Sequence, residues 1–552
     1  MDNIKKEIGK WKYGDWFGFC FLLAAAGMLM VSVRLCFADG IWYDELYTMG
    51  LTRRGFGELT ALTARDVHPP FYYYYVKTVQ QLCRMVFPHA NLTVVSKLCS
   101  VLPLLGIAAY GVTKVRRHFG MLCAGLFVFC TVSMPGLPQY TVEIRMYTLA
   151  LFLVTAAFLH GYGIVSGAGQ DAGGGSRNAD WICLAVYGIL AAYTHYFACV
   201  AVAVLYLCLF IYFLWREAGA CRKKGRIRKT GSGNPADAGG NMFWKPWFAA
   251  VACSVLAYLP WMTAVVRQVA QVKESYWILP LTWRTFGSCV KFLMKPPFGS
   301  GGFQVAAAVV LFLVYVGLFF YTIWNNRENR ELCFACAAGT GILAGTVLFG
   351  FAASFLIRPV FIVRYMVPAA GCFWLSFAVC AGKAFPAKEG DKAEKIKKIK
   401  KGKKGKLFLP VLFFVFFIGI GDFRWFRNDE TWRRVRMDEV KETLSLIGPE
   451  DAVVTQFNHV QGVTGYYLEN EIDLWDSRPE ELLCDIIENK YGTVSSVEEL
   501  ENFMENGGKV WFIGSKQSEL LTQWAQSGIR ASECREFMLE VYWATLYELS
   551  AD

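Results

Sequence analysis

Apolar residues run along this chain in blocks of up to about twenty, broken by short polar stretches, and that is the length a helix needs to cross a bilayer. The blocks are Phe17–Phe37, Val94–Val112, Met121–Leu137, Met146–Val165, Trp181–Tyr193, Phe197–Trp215, Phe248–Val266, Val305–Ile323, Leu332–Phe355, Tyr365–Ala381 and Leu407–Ile420. One further stretch, Phe71–Phe87, is apolar and aromatic but is interrupted by Lys77, Gln80, Gln81 and Arg84. It reads as an amphipathic helix lying on the outer membrane surface. After Ile420 the pattern changes. Asp451–Val454 and Lys509–Ile513 read as strands, and Ser496–Asn506 and Ser518–Gln526 as helices, which predicts a small α/β domain. The expected fold class is a polytopic α-helical membrane protein of about eleven transmembrane helices over residues 1–421, followed by an extracytoplasmic soluble α/β domain over 422–552.

Charge sets the expected direction of threading. Lys5, Lys6, Lys10 and Lys12 precede the first block; Lys114 to Arg117, Arg222–Lys229, Arg327 with Arg330, and Lys392–Lys406 lie between later ones. Lys and Arg concentrate in cytoplasmic loops. An eleven-span path puts all of these runs inside, with the N-terminus cytoplasmic and the C-terminal domain extracytoplasmic. If Phe71–Phe87 crossed, or if Trp181–Trp215 were one helix, the lysine run would be exported. The first block has no small-residue cleavage site after it, so it reads as a retained span rather than a signal peptide. The expected location is the plasma membrane, multi-pass.

A composition of 552 residues, 55% hydrophobic and 16% aromatic, argues against a soluble multidomain protein. The net charge of +11 sits in runs beside the spans. Such runs attract anionic lipid, and the expected partner is the bilayer, not nucleic acid. Most of the 18 cysteines fall in apolar runs and read as packing; Cys484 and Cys534 fall in the tail, where their pairing stays open. Ser166–Asp180 and Thr230–Gly240 read as flexible cytoplasmic loops, and neither carries a phosphate-loop signature.

This threading gathers the unusual polar residues on one side. Asp44, Glu45, Asp66 and His68 fall in the first outer loop, Glu143 and Arg145 in the second, His195 at the third turn, and Arg358 and Arg364 in the fifth. The fourth loop, Arg267–Gly302, carries Lys273, Glu274, Tyr276, Trp277 and Lys291. Charges beside lipid are costly and mark functional sites by default. Each has a plain structural reading as well: His68 can cap the turn before Pro69-Pro70, the arginines can snorkel, and Tyr72–Tyr75 can form an aromatic belt. The shared side favours one pocket handling a lipid-borne substrate at the water interface. A transporter or flippase of a lipid-linked or anionic substrate is the alternative; it predicts charges at mid-membrane depth and repeat symmetry, and the sequence offers neither.

Six segments occur in a set order: W-Y-D-E at Trp42–Glu45, D-x-H-P-P-x-Y-Y at Asp66–Tyr73, E-x-R-M-Y at Glu143–Tyr147, Y-T-H-Y at Tyr193–Tyr196, L-P-W at Leu259–Trp261 and R-P-V-F-x-x-R-Y at Arg358–Tyr365. Up to about Ala381 the chain resembles bacterial glycosyltransferase family 39, with its relatives among protein O-mannosyltransferases and aminoarabinose transferases. The resemblance implies a GT-C fold and a sugar donor carried on polyprenyl phosphate. It implies transfer to an extracytoplasmic acceptor, with a first-loop acid serving the acceptor or a metal and basic residues gripping the donor phosphate. The expected catalytic residues are Asp44, first, and Glu45. The expected substrate-binding residues are Asp66, His68, Glu143, Arg145, Tyr147, His195, Arg358, Arg364 and Tyr365. Some relatives carry a second acid where this chain has Glu143 or Tyr147, so the metal ligands stay unknown and a divalent ion stays open as cofactor.

Overall fold

The computed structural model describes residues 12–38, 40–167, 174–230, 243–274, 278–384, 398–478, 481–487, 491–505, 508–539 and 542–551. Among them, nine helices are long and apolar enough to cross a membrane: Tyr13–Cys36, Leu92–Phe119, Tyr147–Ser166, Tyr196–Gly219, Trp244–Lys273, Gly301–Asn325, Arg330–Leu356, Val363–Ala384 and Leu409–Leu444. Two shorter apolar helices, Met121–Ser133 and Asn178–Ala192, account for the remaining blocks of the sequence pattern. The chain is a multi-pass helical membrane protein.

Two helices form the centre of the bundle. In Tyr147–Ser166 and Val363–Ala384 nearly nine-tenths or more of the most apolar stretch is buried, against 11% in the peripheral Gly301–Asn325. Helices that are apolar all round belong inside such a bundle. Where Tyr13–Cys36 meets Met121–Ser133, Gly18 and Gly125 face each other so closely that a Cβ on either would strike the other helix's backbone. Small residues allow that approach where no water drives helices together.

Phe71–Val86 is a helix that turns Lys77 and Gln80 inward and leaves Gln81 and Arg84 exposed. Lys77 donates to the Thr52 carbonyl (3.0 Å) and Gln80 to Ser96 Oγ (2.8 Å), while Leu82, Met85 and Val86 are exposed. Residues 174–180, expected in a loop, are the first turns of the helix Gly174–Ala192, with Asp180 tied to Lys114 (2.9 Å) and His160 (2.6 Å). Lys5, Lys6, Lys10, Tyr276, Trp277, residues 231–240 and 392–397 lie outside the described residues.

The last long helix runs unbroken from Lys398 to Leu444, so the boundary expected at 421/422 falls inside it. It delivers the chain to a six-stranded sheet of order β3-β2-β1-β4-β6-β5: β1 Ala452–Thr455, β2 Ile472–Trp475, β3 Tyr491–Val494, β4 Val510–Gly514, β5 Ile529–Leu539 and β6 Tyr542–Ala551. The first four strands are parallel, and β5 and β6 add an antiparallel hairpin. Val453, Val454, Phe512 and Ile513 are buried, as expected of short strands covered on both faces. Cys534 carries a free thiol, so it forms no disulfide with Cys484.

The sheet domain and the helix Tyr43–Arg53 share one apolar core: Ile41, Leu46 and Met49 pack with Val460, Val463 and Leu483. Tyr43 stacks on His459 at 4.3 Å between ring centroids. Arg65 pairs with Asp485 at 2.6 Å. At Gly50 a Cβ would run into the side chain and carbonyl of Ile486. Gly50→Ala gains up to about 1 kcal/mol of helix propensity but overpacks the seam, typically at about 1–3 kcal/mol. The expected net result is a lower thermal midpoint and faster proteolytic release of the sheet domain. A raised midpoint would show that the seam yields.

Candidate functional site

The site is built around the start of the helix Tyr43–Arg53. Glu45 lies in its first turn, and its carboxylate accepts from the Trp42 N–H at 3.1 Å, which satisfies a helix N-terminal donor. The other carboxylate oxygen accepts from the Ile144 N–H at 2.6 Å. Glu45 therefore bolts the segment Glu143–Arg145 to this helix. Side chains alternate across the seam: Asp44 and Arg145 face one cavity, Glu45 and Glu143 another.

The first cavity, about 540 Å³, is lined by Asp44, Asp66, His68, Arg145, Arg364 and Tyr365, with Glu481 and Leu482 of the sheet domain in its wall. Arg364 donates from Nη1 to Asp44 Oδ2 at 3.3 Å, and Arg145 Nη2 lies 3.6 Å from the same oxygen. Arg145 also donates to the Asp44 backbone carbonyl at 3.0 Å. Arg145 is 5% exposed. Burial works against its charge, but Asp44 overrides that and pushes its pKa up. Oδ1 of Asp44 accepts no hydrogen bond among the described residues.

His68 Nδ1 lies 3.2 Å from Asp66 Oδ2. Burial opposes ionisation of Asp66, but the His68 hydrogen bond prevails and holds its carboxyl below the usual range. Behind them sits His195, 6.2 Å from His68 and 5.2 Å from Tyr365 between ring centroids. Burial, then His68 and the two arginines, drive the His195 pKa well down. Its Nδ1 accepts from the Phe197 N–H, which fixes a neutral ring. Tyr147 packs beside it with the rings tilted, and the hydroxyls of Tyr147 and Tyr73 have no hydrogen-bond partner among the described residues.

Three expected residues stand elsewhere. Glu45 is taken up by two backbone N–H groups, and Glu143 faces away because it alternates with Arg145. Both line the second cavity, about 730 Å³, together with Lys97, Arg433 and Arg436 of the last helix. Arg358 donates to the Lys273 carbonyl at 3.1 Å and is not in either wall. The sequence reading missed Tyr43, Tyr47, Arg65, Gln271, Glu481 and Leu482 in the first wall. Tyr43 and Tyr47 carried a signal, because they lie beside and one turn from Asp44. Gln271 and Glu481 carried none.

Burial raises Glu45 to about 7 against partial relief from Lys97. It raises Glu143 to about 8, with Glu45 adding to the rise. Both acids hold their protons more tightly in the folded chain, so their stabilising contribution is complete below the ordinary 4.5 and is lost as pH rises through about 7 and about 8. The thermal midpoint is expected to fall between about pH 5 and about pH 8.5, and Glu143→Gln should flatten that slope. An unchanged slope would place the pH dependence elsewhere.

Among the described residues, no group of three or more His, Cys, Asp or Glu side chains is placed to hold a metal ion. Asp44 faces two guanidinium groups instead, a cationic lining that does not fit one.

No family model and no curated protein matches the chain. Among solved structures, it resembles ArnT from Cupriavidus metallidurans in the apo state, with a TM-score of 0.55 at 14% identity over 96% of this chain and 97% of that one. ArnT from the same organism bound to undecaprenyl phosphate gives 0.52 at 13% identity, again over 96% and 97%. The likeness is one of fold: this chain has a GT-C-like membrane fold, and the match extends through the sheet domain.

Proposed function

We propose that this chain is a membrane glycosyltransferase that moves a hexose or pentose from a polyprenyl-phosphate donor to an acceptor hydroxyl, inverting the anomeric carbon. The observation that carries the reading is Asp44 set against Arg145 and Arg364 in one cavity. An acceptor hydroxyl needs a base within hydrogen-bond reach, and Oδ1 of Asp44 serves. The leaving phosphate needs cations in a site drier than water. Arg145 and Arg364 supply planar forks that match its oxygens. Glu45 acts by position, holding Arg145 beside Asp44. The ArnT structure with undecaprenyl phosphate supports a polyprenyl phosphate as carrier. The cavity faces the extracytoplasmic side, with the N-terminus inside, on the charge pattern of the loops.

The test supplies purified protein with radiolabelled undecaprenyl phosphomannose, phosphoglucose and phosphoarabinose, plus an envelope extract as acceptor. Label should move from lipid to acceptor as undecaprenyl phosphate is released one for one. Release or transfer with none of these donors contradicts the reading.

A further inference from the structure

The segment Asp66-Val67-His68-Pro69-Pro70 is stiff. Two prolines fix the backbone before the helix Phe71–Val86, and the Phe71 N–H donates to the Tyr193 carbonyl at 3.0 Å, pinning the turn against the one that carries His195. Asp66 and His68 are thus held as a pair at the cavity wall, their side chains 16% and 14% exposed. A carboxylate only accepts hydrogen bonds, so Nδ1 of His68 donates to Asp66. That leaves Nε2, which makes no hydrogen bond among the described residues, as the ring's working nitrogen.

Resting on the glycosyl-transfer reading above, we propose that His68 is a general acid: Nε2 gives its proton to the leaving phosphate, and Asp66 is the positioning residue that orients the ring. The sugar–oxygen bond breaks with its electron pair going to the phosphate oxygen, which takes the His68 proton. The acceptor oxygen bonds to the anomeric carbon and loses its proton to Asp44. Asp44 then returns a proton to His68 through solvent, so none is consumed per turnover. The chemistry calls for such a donor. The departing group changes from a phosphodiester to a monoester, whose second pKa is about 6, within reach of an imidazole. Arginines stabilise that charge but do not give up protons. Around the pair stand Arg145, Arg364, Tyr73, Tyr196 and His195; His195 is kept neutral with its Nδ1 occupied.

The test measures kcat and donor KM against pH on the full-length protein, with whichever of the three undecaprenyl-phosphate sugars the wild type consumes. His68→Gln should lower kcat about a hundredfold, change donor KM by less than about threefold, and abolish the alkaline fall in kcat that a protonated donor imposes. Asp66→Asn, which keeps the imidazole, should displace that fall; if His68→Gln does not fold, this variant decides. A raised KM with kcat intact would make His68 only a phosphate grip and overturn the proposal. So would an alkaline fall retained in His68→Gln or left in place by Asp66→Asn. Wild-type protein that consumes none of the donors would overturn the underlying reading, and this inference with it.

Discussion

Asp44→Asn is expected to lower kcat for sugar transfer at least about a thousandfold while the protein stays folded. Positioned general bases are worth about 100- to 10,000-fold, and asparagine keeps the shape but not the basicity. The backbone carbonyl of Asp44 that Arg145 bonds is unaffected, so the seam to Glu143–Arg145 should survive. The substitution also removes the negative charge that Arg145 and Arg364 share. Those cations are then more available to an anionic donor, and donor KM should fall as kcat falls. That joint fall in kcat and donor KM is the signature to look for. Steady-state kinetics on protein checked by gel filtration and circular dichroism gives the answer. An unchanged kcat would remove Asp44 from the base role.

Arg364→Ala should cost about a hundredfold or more in kcat/KM, the scale seen when one preorganised donor to a developing negative charge is removed. Arg364 is the cleaner of the two arginines to test. Arg145 is nearly fully buried and bonded to the Asp44 backbone, so its loss would also disturb the fold. Arg364→Lys keeps the charge but not the two-pronged geometry, and its activity should fall between wild type and alanine. Equal activity in all three would place the phosphate elsewhere.

Much of the fold is legible because lipid enforces a simple rule. A stretch such as Val305–Ile323 has no use for polar residues, so its length and position read directly. The strands near Val453 and Phe512 are equally plain, being short apolar runs in a charged tail. The last helix outruns its apolar block: beyond Asp422 it keeps Phe423 and Phe426 in the core of the membrane helices and then places Val440 and Leu444 in the core shared with the sheet domain. In the site, the residues that end up in one cavity could be picked as charges beside spans, but the direction each side chain points could not. Asp44 and Glu45 are neighbours with similar chemistry, and only the partner segment at Ile144 decides which one turns inward. Glu143 and Arg145 separate by the same alternation. Glu481 reaches the wall from more than four hundred residues away in sequence, through the docking of the sheet domain onto the helix Tyr43–Arg53, for which no local pattern exists.

The seat of the donor phosphate decides which of the two cavities is the active one. A cryo-electron microscopy structure of the full-length protein with undecaprenyl phosphate tests that directly. The phosphate should lie between Arg145 and Arg364, beside His68 and within a sugar's width of Asp44. A phosphate seated in the larger cavity, against Arg433 and Arg436 on the far side of Glu45, would contradict it.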